Sequence, residues 1–200
     1  MISSGTVPAK RSRLRTLSTG PAIQFALLIG YTFSLNQDNP PHHMERQITI
    51  CTKEDFNQVL AELDQFWEHD RAEALHHPTI IYEFGNSAFV IKEKGRVLAY
   101  LFGFLSQTEP AGYVHLLSVR RGCRRRGLAN RLYAHFEQYA RSRGCTRLKA
   151  ITSPVNRLSI DFHRSIGMLP SGEPDSQGLP VVKDYAGPGQ DRVVFIKNIA

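Results

Sequence analysis

Residues 117–129 (LSVRRGCRRRGLA) constrain this chain more than any other stretch. A short apolar run of strand character, residues 113–119, ends in a turn of arginine and glycine, and an amphipathic helix opens directly from that turn. Gly127 and Ala129 carry no bulky side chain, so the backbone there can approach a ligand closely. The first turn of the helix presents unpaired N–H groups and the positive end of the helix dipole, a ready site for phosphate. Alone, a glycine-rich turn is more often only a turn; its surroundings have to decide.

Charge supports the ligand reading. The formal net charge is +7, but it is unevenly placed. Lys10, Arg11, Arg13 and Arg15 lie in a leading segment with no acid before Asp38. Arg120, Arg121, Arg124, Arg125, Arg126 and Arg131 lie in an interval that holds no acid at all. The remainder is nearly balanced, which fits a local anion site better than a surface coated for nucleic acid. Cys51, Cys123 and Cys145 show no CxxC spacing and an odd total. That pattern does not suggest a disulfide scaffold or a zinc site, and a reducing, cytoplasmic setting is the simpler reading.

Two hundred residues at 42% hydrophobic support one α/β domain with a substantial core. Residues 1–44 read as a poorly structured extension and residues 45–200 as the domain. Within the extension, residues 21–35 form an apolar run behind basic residues, as a secretory signal would. The run is shorter than the ~20 residues a bilayer span needs, and no small-x-small cleavage site follows. Translation starting at Met44 is the preferred reading of that segment, and no stable membrane insertion is expected.

In the domain, residues 47–51 alternate as a strand, and Thr52 with Asp55 forms a variant capping box. Phe56, Val59, Leu60, Leu63, Phe66 and Trp67 recur at helical spacing. A shorter polar helix over 70–77 ends before Pro78. Strands follow over 87–92 and 97–105, with residues 93–96 as a hairpin turn. Leu128, Ala129, Leu132, Tyr133, Phe136, Tyr139 and Ala140 form the buried stripe of the helix after the turn, and Gly144 is its stop. A strand over 148–152, a helix after Asn156 and a strand over 193–199 that closes the sheet complete the order.

Arg124, Gly127 and Ala129 resemble the signature of the Gcn5-related N-acetyltransferase (GNAT) superfamily: Arg or Gln, two residues, Gly, one residue, then Gly or Ala. Val119 precedes Arg124 by five residues, as the family's strand end does. Arg121 stands where the family usually has Pro, and Cys123 where it has an aromatic. Downstream, Asn156, Phe162, His163, Gly167 and Met168 are similar to the family's next motif, an Asn followed by a short helix ending in Gly-Phe. The resemblance implies a single domain whose mixed, mostly antiparallel central sheet is flanked by helices and splayed at the cofactor strand.

It also implies acetyl-coenzyme A as cosubstrate, with no metal. Its pantetheine arm would lie along Leu117, Ser118 and Val119, and its pyrophosphate would meet Arg124, Arg125, Arg126, Gly127, Leu128 and Ala129. Asn156 would hydrogen-bond the arm or cap its helix. Among the arginine side chains, Arg124 is the first choice for phosphate. His115, two residues before Leu117, is the leading general base, since an ordinary histidine pKa near ~6.5 suits deprotonation around neutrality. His163 stands where the family often has Tyr, and would protonate the departing thiolate or line the arm.

The activity expected is transfer of an acetyl group from acetyl-coenzyme A to a primary amine by direct attack on the thioester. A peptide amino terminus, an amino acid, a polyamine and an antibiotic amine all remain open as acceptors, and a homodimer is left open. Glu62, Asp64, Glu68, Asp70, Glu73 and Asp184 are acids that would attract a cationic amine, although such charges more often face solvent. Two rivals come from other classes: a non-catalytic acyl-coenzyme A sensor, which would bind without releasing thiol, and a basic nucleic-acid-binding module, which no zinc spacing or aromatic platform supports.

Overall fold

The computed structural model describes residues 46–68 and 72–200; the expectations for residues 1–44 and for a helix start at Asp70 lie outside them. Strand β1 (Ile48–Ile50) leads into helix α1 (Lys53–Ala61). The Thr52 hydroxyl accepts from the Asp55 amide at 3.2 Å, and the Thr52 amide donates to the Asp55 carboxylate at 3.1 Å, closing the expected capping box. The apolar stripe that read as one helix divides here. α1 stops at Ala61, and a 3-10 turn, Leu63–Gln65, carries Phe66 into the core at 1% exposure.

Helix α2 (Ala72–Leu75) is followed by α3 (Thr79–Phe84), which the sequence reading did not anticipate. Pro78, read as a stop, opens α3 instead: its fixed φ of -55° already suits a helical first turn. Strands β2 (Ala88–Glu93) and β3 (Arg96–Leu105) form the expected hairpin. Its turn places Lys94 at φ 49° and Gly95 at φ 77°, the paired positive angles that match strand twist. Strand β4 (Ala111–Val119), helix α4 (Leu128–Ser142), strand β5 (Arg147–Thr152) and helix α5 (Arg157–Ser165) come next. The short strands β6 (Leu169–Ser171), β7 (Glu173–Pro174) and β8 (Pro180–Val181) precede β9 (Val193–Asn198).

Seven strands form one sheet in the order β1-β2-β3-β4-β5-β9-β6, antiparallel except for the β4–β5 pair. β9 therefore does not close the sheet; β6 lies beyond it at the edge. Each face carries a core. Phe56, Val59, Phe66, Tyr100 and Phe102 pack on one side, and Leu132, Phe136, Leu148, Ile160 and Phe195 on the other. From Ala99 onward β3 feeds both by alternation: Ala99 and Leu101 join one cluster, Tyr100 and Phe102 the other. A central strand covered on both faces reads as an unbroken apolar run, as residues 97–102 do.

β4 is irregular on both of its sides. Phe102 pairs with Leu116 but Gly103 pairs with Val114, so His115 is an extra residue, a β-bulge. Opposite it, a Cβ on Gly103 would stand 2.6 Å from the Phe136 ring and 2.8 Å from the Tyr113 carbonyl oxygen, which is why this position in β3 has no side chain. On its other side β4 pairs with β5 only from Ala111↔Arg147 to Val114↔Ala150. Beyond that point the two strands part.

Candidate active site

From His115 to Val119, β4 keeps its ladder with β3 and faces no strand on the β5 side. That edge can pair with an extended ligand as an added strand would. Leu117 and Val119 pack against the α4-side core, and the Ser118 hydroxyl donates to the Phe66 carbonyl at 3.0 Å. The three residues expected along a cofactor arm thus line the opening with their backbone, while their side chains are occupied elsewhere.

The open edge runs into the turn. A 3-10 turn over Arg121–Cys123 is closed by the Cys123 amide on the Arg120 carbonyl at 2.8 Å. Arg125 then takes φ 61° and Gly127 φ 74°, and Gly127 caps α4 without a side-chain hydrogen bond. No acidic residue occupies the first turn of α4. Among the described residues, no acceptor meets the backbone N–H groups of Arg125, Arg126, Gly127, Leu128, Ala129 or Asn130. Consecutive free amides at a helix N-terminus form an anion cradle.

The arginines divide into two sets. Arg120 is buried: its Nε donates to the Val97 carbonyl at 3.0 Å, it ion-pairs with Glu62, and it lies 4.7 Å over the Phe66 ring. Arg121 donates to the Trp67 carbonyl at 3.0 Å. Arg124 donates to the carbonyls of Phe66 at 3.0 Å and Val119 at 3.2 Å, and meets Glu68 at 3.4 Å. Arg124 is the first choice for a phosphate-binding side chain; here three of its donors hold β4 and the segment after α1. Arg125 and Arg126 are exposed and have no side-chain partner among the described residues. They are the pair free to reach an anion.

At the bulge, His115 lines a cavity of about 370 Å³ together with Phe104, Glu109, Tyr113, Lys149 and Tyr185. Its ring lies 6.4 Å from Tyr113 and 6.2 Å from Phe104. Burial pulls its pKa below the ordinary histidine value, partly offset by the nearby Leu75 backbone. A neutral imidazole keeps one ring nitrogen as an acceptor. Tyr113 is pushed up to about 12, first by burial, and stays un-ionised near neutrality. A larger cavity of about 630 Å³ lies against β1, three strands from β4, lined by Ile48, Phe89, His135 and Tyr139 among others.

His163 sits differently. It is 6% exposed, stacked on Phe195 with ring centroids 4.8 Å apart. Its Nδ1 donates to the Ser159 carbonyl at 2.7 Å, and its Nε2 is 2.8 Å from the Tyr133 hydroxyl. With Nδ1 as donor, Nε2 accepts the phenolic proton, and burial lowers the ring's pKa. The expectation of an acid at the departing sulfur is therefore at odds with the packing, since neither nitrogen is free. Asn156 caps α5, its Oδ1 accepting from the Ser159 amide at 3.1 Å.

Phe104, Glu109, Tyr113, Lys149 and Tyr185, which line the cavity beside His115, are not among the residues the sequence singled out. Tyr113 and His115, two apart on a half-buried strand, were the only local signal; the others come from β3, β5 and two loops. Among the described residues, no group of three or more His, Cys, Asp or Glu is placed to hold a metal ion. None of the described helices is long and apolar enough to cross a membrane.

The open edge and its cradle define a class. The model of the acetyltransferase (GNAT) family matches residues 53–168, more than half the chain, and the chain belongs to that family of acetyltransferases. Solved structures agree in fold. Ard1 from Thermoplasma volcanium is 16% identical, covering 77% of this chain and 97% of its own, with a TM-score of 0.60. The ribosomal-protein-S18-alanine N-acetyltransferase from Escherichia coli is 15% identical over 77% and 94%, with a TM-score of 0.56. An aminoglycoside 6'-N-acetyltransferase complexed with coenzyme A is 13% identical over 77% and 97%, at 0.53. No curated protein sequence matches this chain.

Proposed function

We propose that this protein moves the acetyl group of acetyl-coenzyme A to a primary amine by direct attack of the amine on the thioester. The observation that carries the reading is the continuity of the unpaired β4 edge with six unpartnered amides at the start of α4. An elongated cosubstrate ending in a diphosphate fits both. The aminoglycoside acetyltransferase of the same fold is complexed with coenzyme A, which supports that choice. The setting we favour is the cytoplasm, where thiols such as the buried, unpaired Cys51 and Cys145 stay reduced.

In this reading the amides of Arg125, Arg126, Gly127, Leu128 and Ala129 hold the pyrophosphate, and the Arg125 and Arg126 guanidinium groups add charge-assisted bonds. Arg124 shapes the turn from behind. The β4 backbone at Leu117, Ser118 and Val119 pairs with the pantetheine amides, and the Asn156 amide group assists while its Oδ1 caps α5. A β4 N–H near Leu117 polarises the thioester carbonyl as an oxyanion donor does. His115 takes a proton from the amine as its nitrogen bonds to the carbonyl carbon and the C–S bond breaks; a proton then returns to the sulfur, leaving amide and free thiol. His163 holds Tyr133 and Phe195 in place.

Calorimetry with acetyl-coenzyme A, followed by a thiol-release screen over a panel of amines, tests this. Heat on mixing and amine-dependent thiol are expected. Absence of heat would end the reading, and heat without thiol for any amine would leave a binding module in place of an enzyme.

A further inference from the structure

We infer that the acceptor is a monoamine carrying an aromatic ring, and that Phe104, Tyr113 and Tyr185 select it. The inference rests on the acetyl-transfer reading and concerns the cavity beside His115. Phe104 and Tyr113 are stacked at 4.9 Å with their planes 25° apart, and His115 adds a third, tilted ring to this aromatic lining. Tyr185, 39% exposed, lines the same cavity from the loop between β8 and β9. At about 370 Å³ the space lies toward the small end of the ~300–1,000 Å³ common for small-ligand sites. A planar apolar group gains most from such walls, by area and by ring-to-ring contact.

Charge narrows the class. The lining holds one acid, Glu109, and one base, Lys149, joined at 2.6 Å; Arg147 approaches the same carboxylate at 3.6 Å. Both cations pull the Glu109 pKa below the usual carboxylate range. The lining therefore sums to zero, with no carboxylate left to receive a second ammonium group. Polyamines and antibiotic polycations would bring charge the walls do not match. One amine can still lose its proton to the neutral His115 at the bulge, next to the point where β4 and β5 part.

The amine-and-ring chemistry has two sources, a free arylalkylamine or a peptide beginning with an aromatic residue. The full chain, at saturating acetyl-coenzyme A, is assayed by thiol release with 2-phenylethylamine, a peptide starting with Phe, a peptide starting with Ala, spermidine and kanamycin. At least tenfold higher kcat/KM is expected for one ring-bearing amine over every other arm, and which one responds identifies the source. Tyr185→Ala and Tyr113→Leu should raise that acceptor's KM about three- to tenfold, with the acetyl-coenzyme A KM unchanged; Tyr185 is an exposed loop residue, so its variant folds even if Tyr113→Leu does not. Spermidine or kanamycin as the best acceptor, or equal KM in Tyr185→Ala, overturns the inference while leaving acetyl transfer intact. No heat with acetyl-coenzyme A overturns the transfer reading itself.

Discussion

The two ends of β4 are built on opposite plans. At its C-terminal end, the proposed cosubstrate site is main chain: an unpaired strand edge and, among the described residues, a run of amides with no acceptor, all within residues 115–130. Further back, where β4 bulges, the proposed acceptor site is side chain, gathered from β3, β4, β5 and two loops. A backbone site depends on φ and ψ and tolerates many side chains. A side-chain site depends on which residues several segments bring together. One end can then stay constant while the other changes, so cosubstrate and acceptor specificity are physically separable.

The largest effect is expected at the side-chain end. His115→Ala should lower kcat about 100-fold or more, the usual contribution of a positioned base, while calorimetry with acetyl-coenzyme A stays as in the parent protein. Because burial holds the His115 pKa low, the acid limb of the kcat/KM profile should fall below pH ~6.5 and disappear in the variant. A profile and turnover unchanged by the substitution would remove the distinction drawn between the two ends.

At the main-chain end, geometry should outweigh charge. Gly127 sits at φ 74°, so Gly127→Val forces a β-branched residue into the left-handed region and turns the neighbouring amides of α4. Losing one charge-assisted bond of about 1.5–3 kcal/mol should weaken acetyl-coenzyme A binding by about 10- to 100-fold, read by calorimetry. Arg126→Ala should cost about tenfold or less and lose most of its effect at high salt. Arg124→Ala should act mainly on stability, because its donors hold Phe66 and Glu68. A larger binding loss for Arg124→Ala than for Gly127→Val would break the comparison.

The same contrast explains what was legible beforehand. The hairpin at Lys94 and Gly95, the Thr52–Asp55 box, the Gly144 stop and the turn at Gly127 are local, set by residues within four positions of one another. The bulge at His115 was not, since it is a mismatch between β3 and β4 that only pairing reveals. Composition could gather six arginines between residues 120 and 131. It could not say that Arg120, Arg121 and Arg124 bond to Glu62, Trp67 and Phe66, more than fifty residues away in sequence. Nor could it separate a histidine that lines a cavity from one committed to the core.

The smallest catalytic effect should come from that second histidine. His163→Phe is expected to leave kcat at saturating acetyl-coenzyme A within about twofold, since a ring with both nitrogens bonded has no proton to offer. It should instead cost about 1–3 kcal/mol of stability, because the Tyr133 hydroxyl loses its acceptor inside the core. Adding Tyr133→Phe should recover part of that loss, as removing both partners leaves no buried polar group unpaired. The pH dependence carries the same signature. A folded-state pKa held below the ordinary ~6.5 means the unfolded chain binds more protons once the pH drops below that value. Stability is then full above pH ~6.5 and declines as pH falls through the lowered His163 value. Melting temperatures measured from pH ~7.5 down to ~5 should fall less steeply in His163→Phe, with His115 and His135, also lowered by burial, supplying the slope that remains. An unchanged slope together with a tenfold loss of kcat would return His163 to the chemistry and leave the core explanation without support.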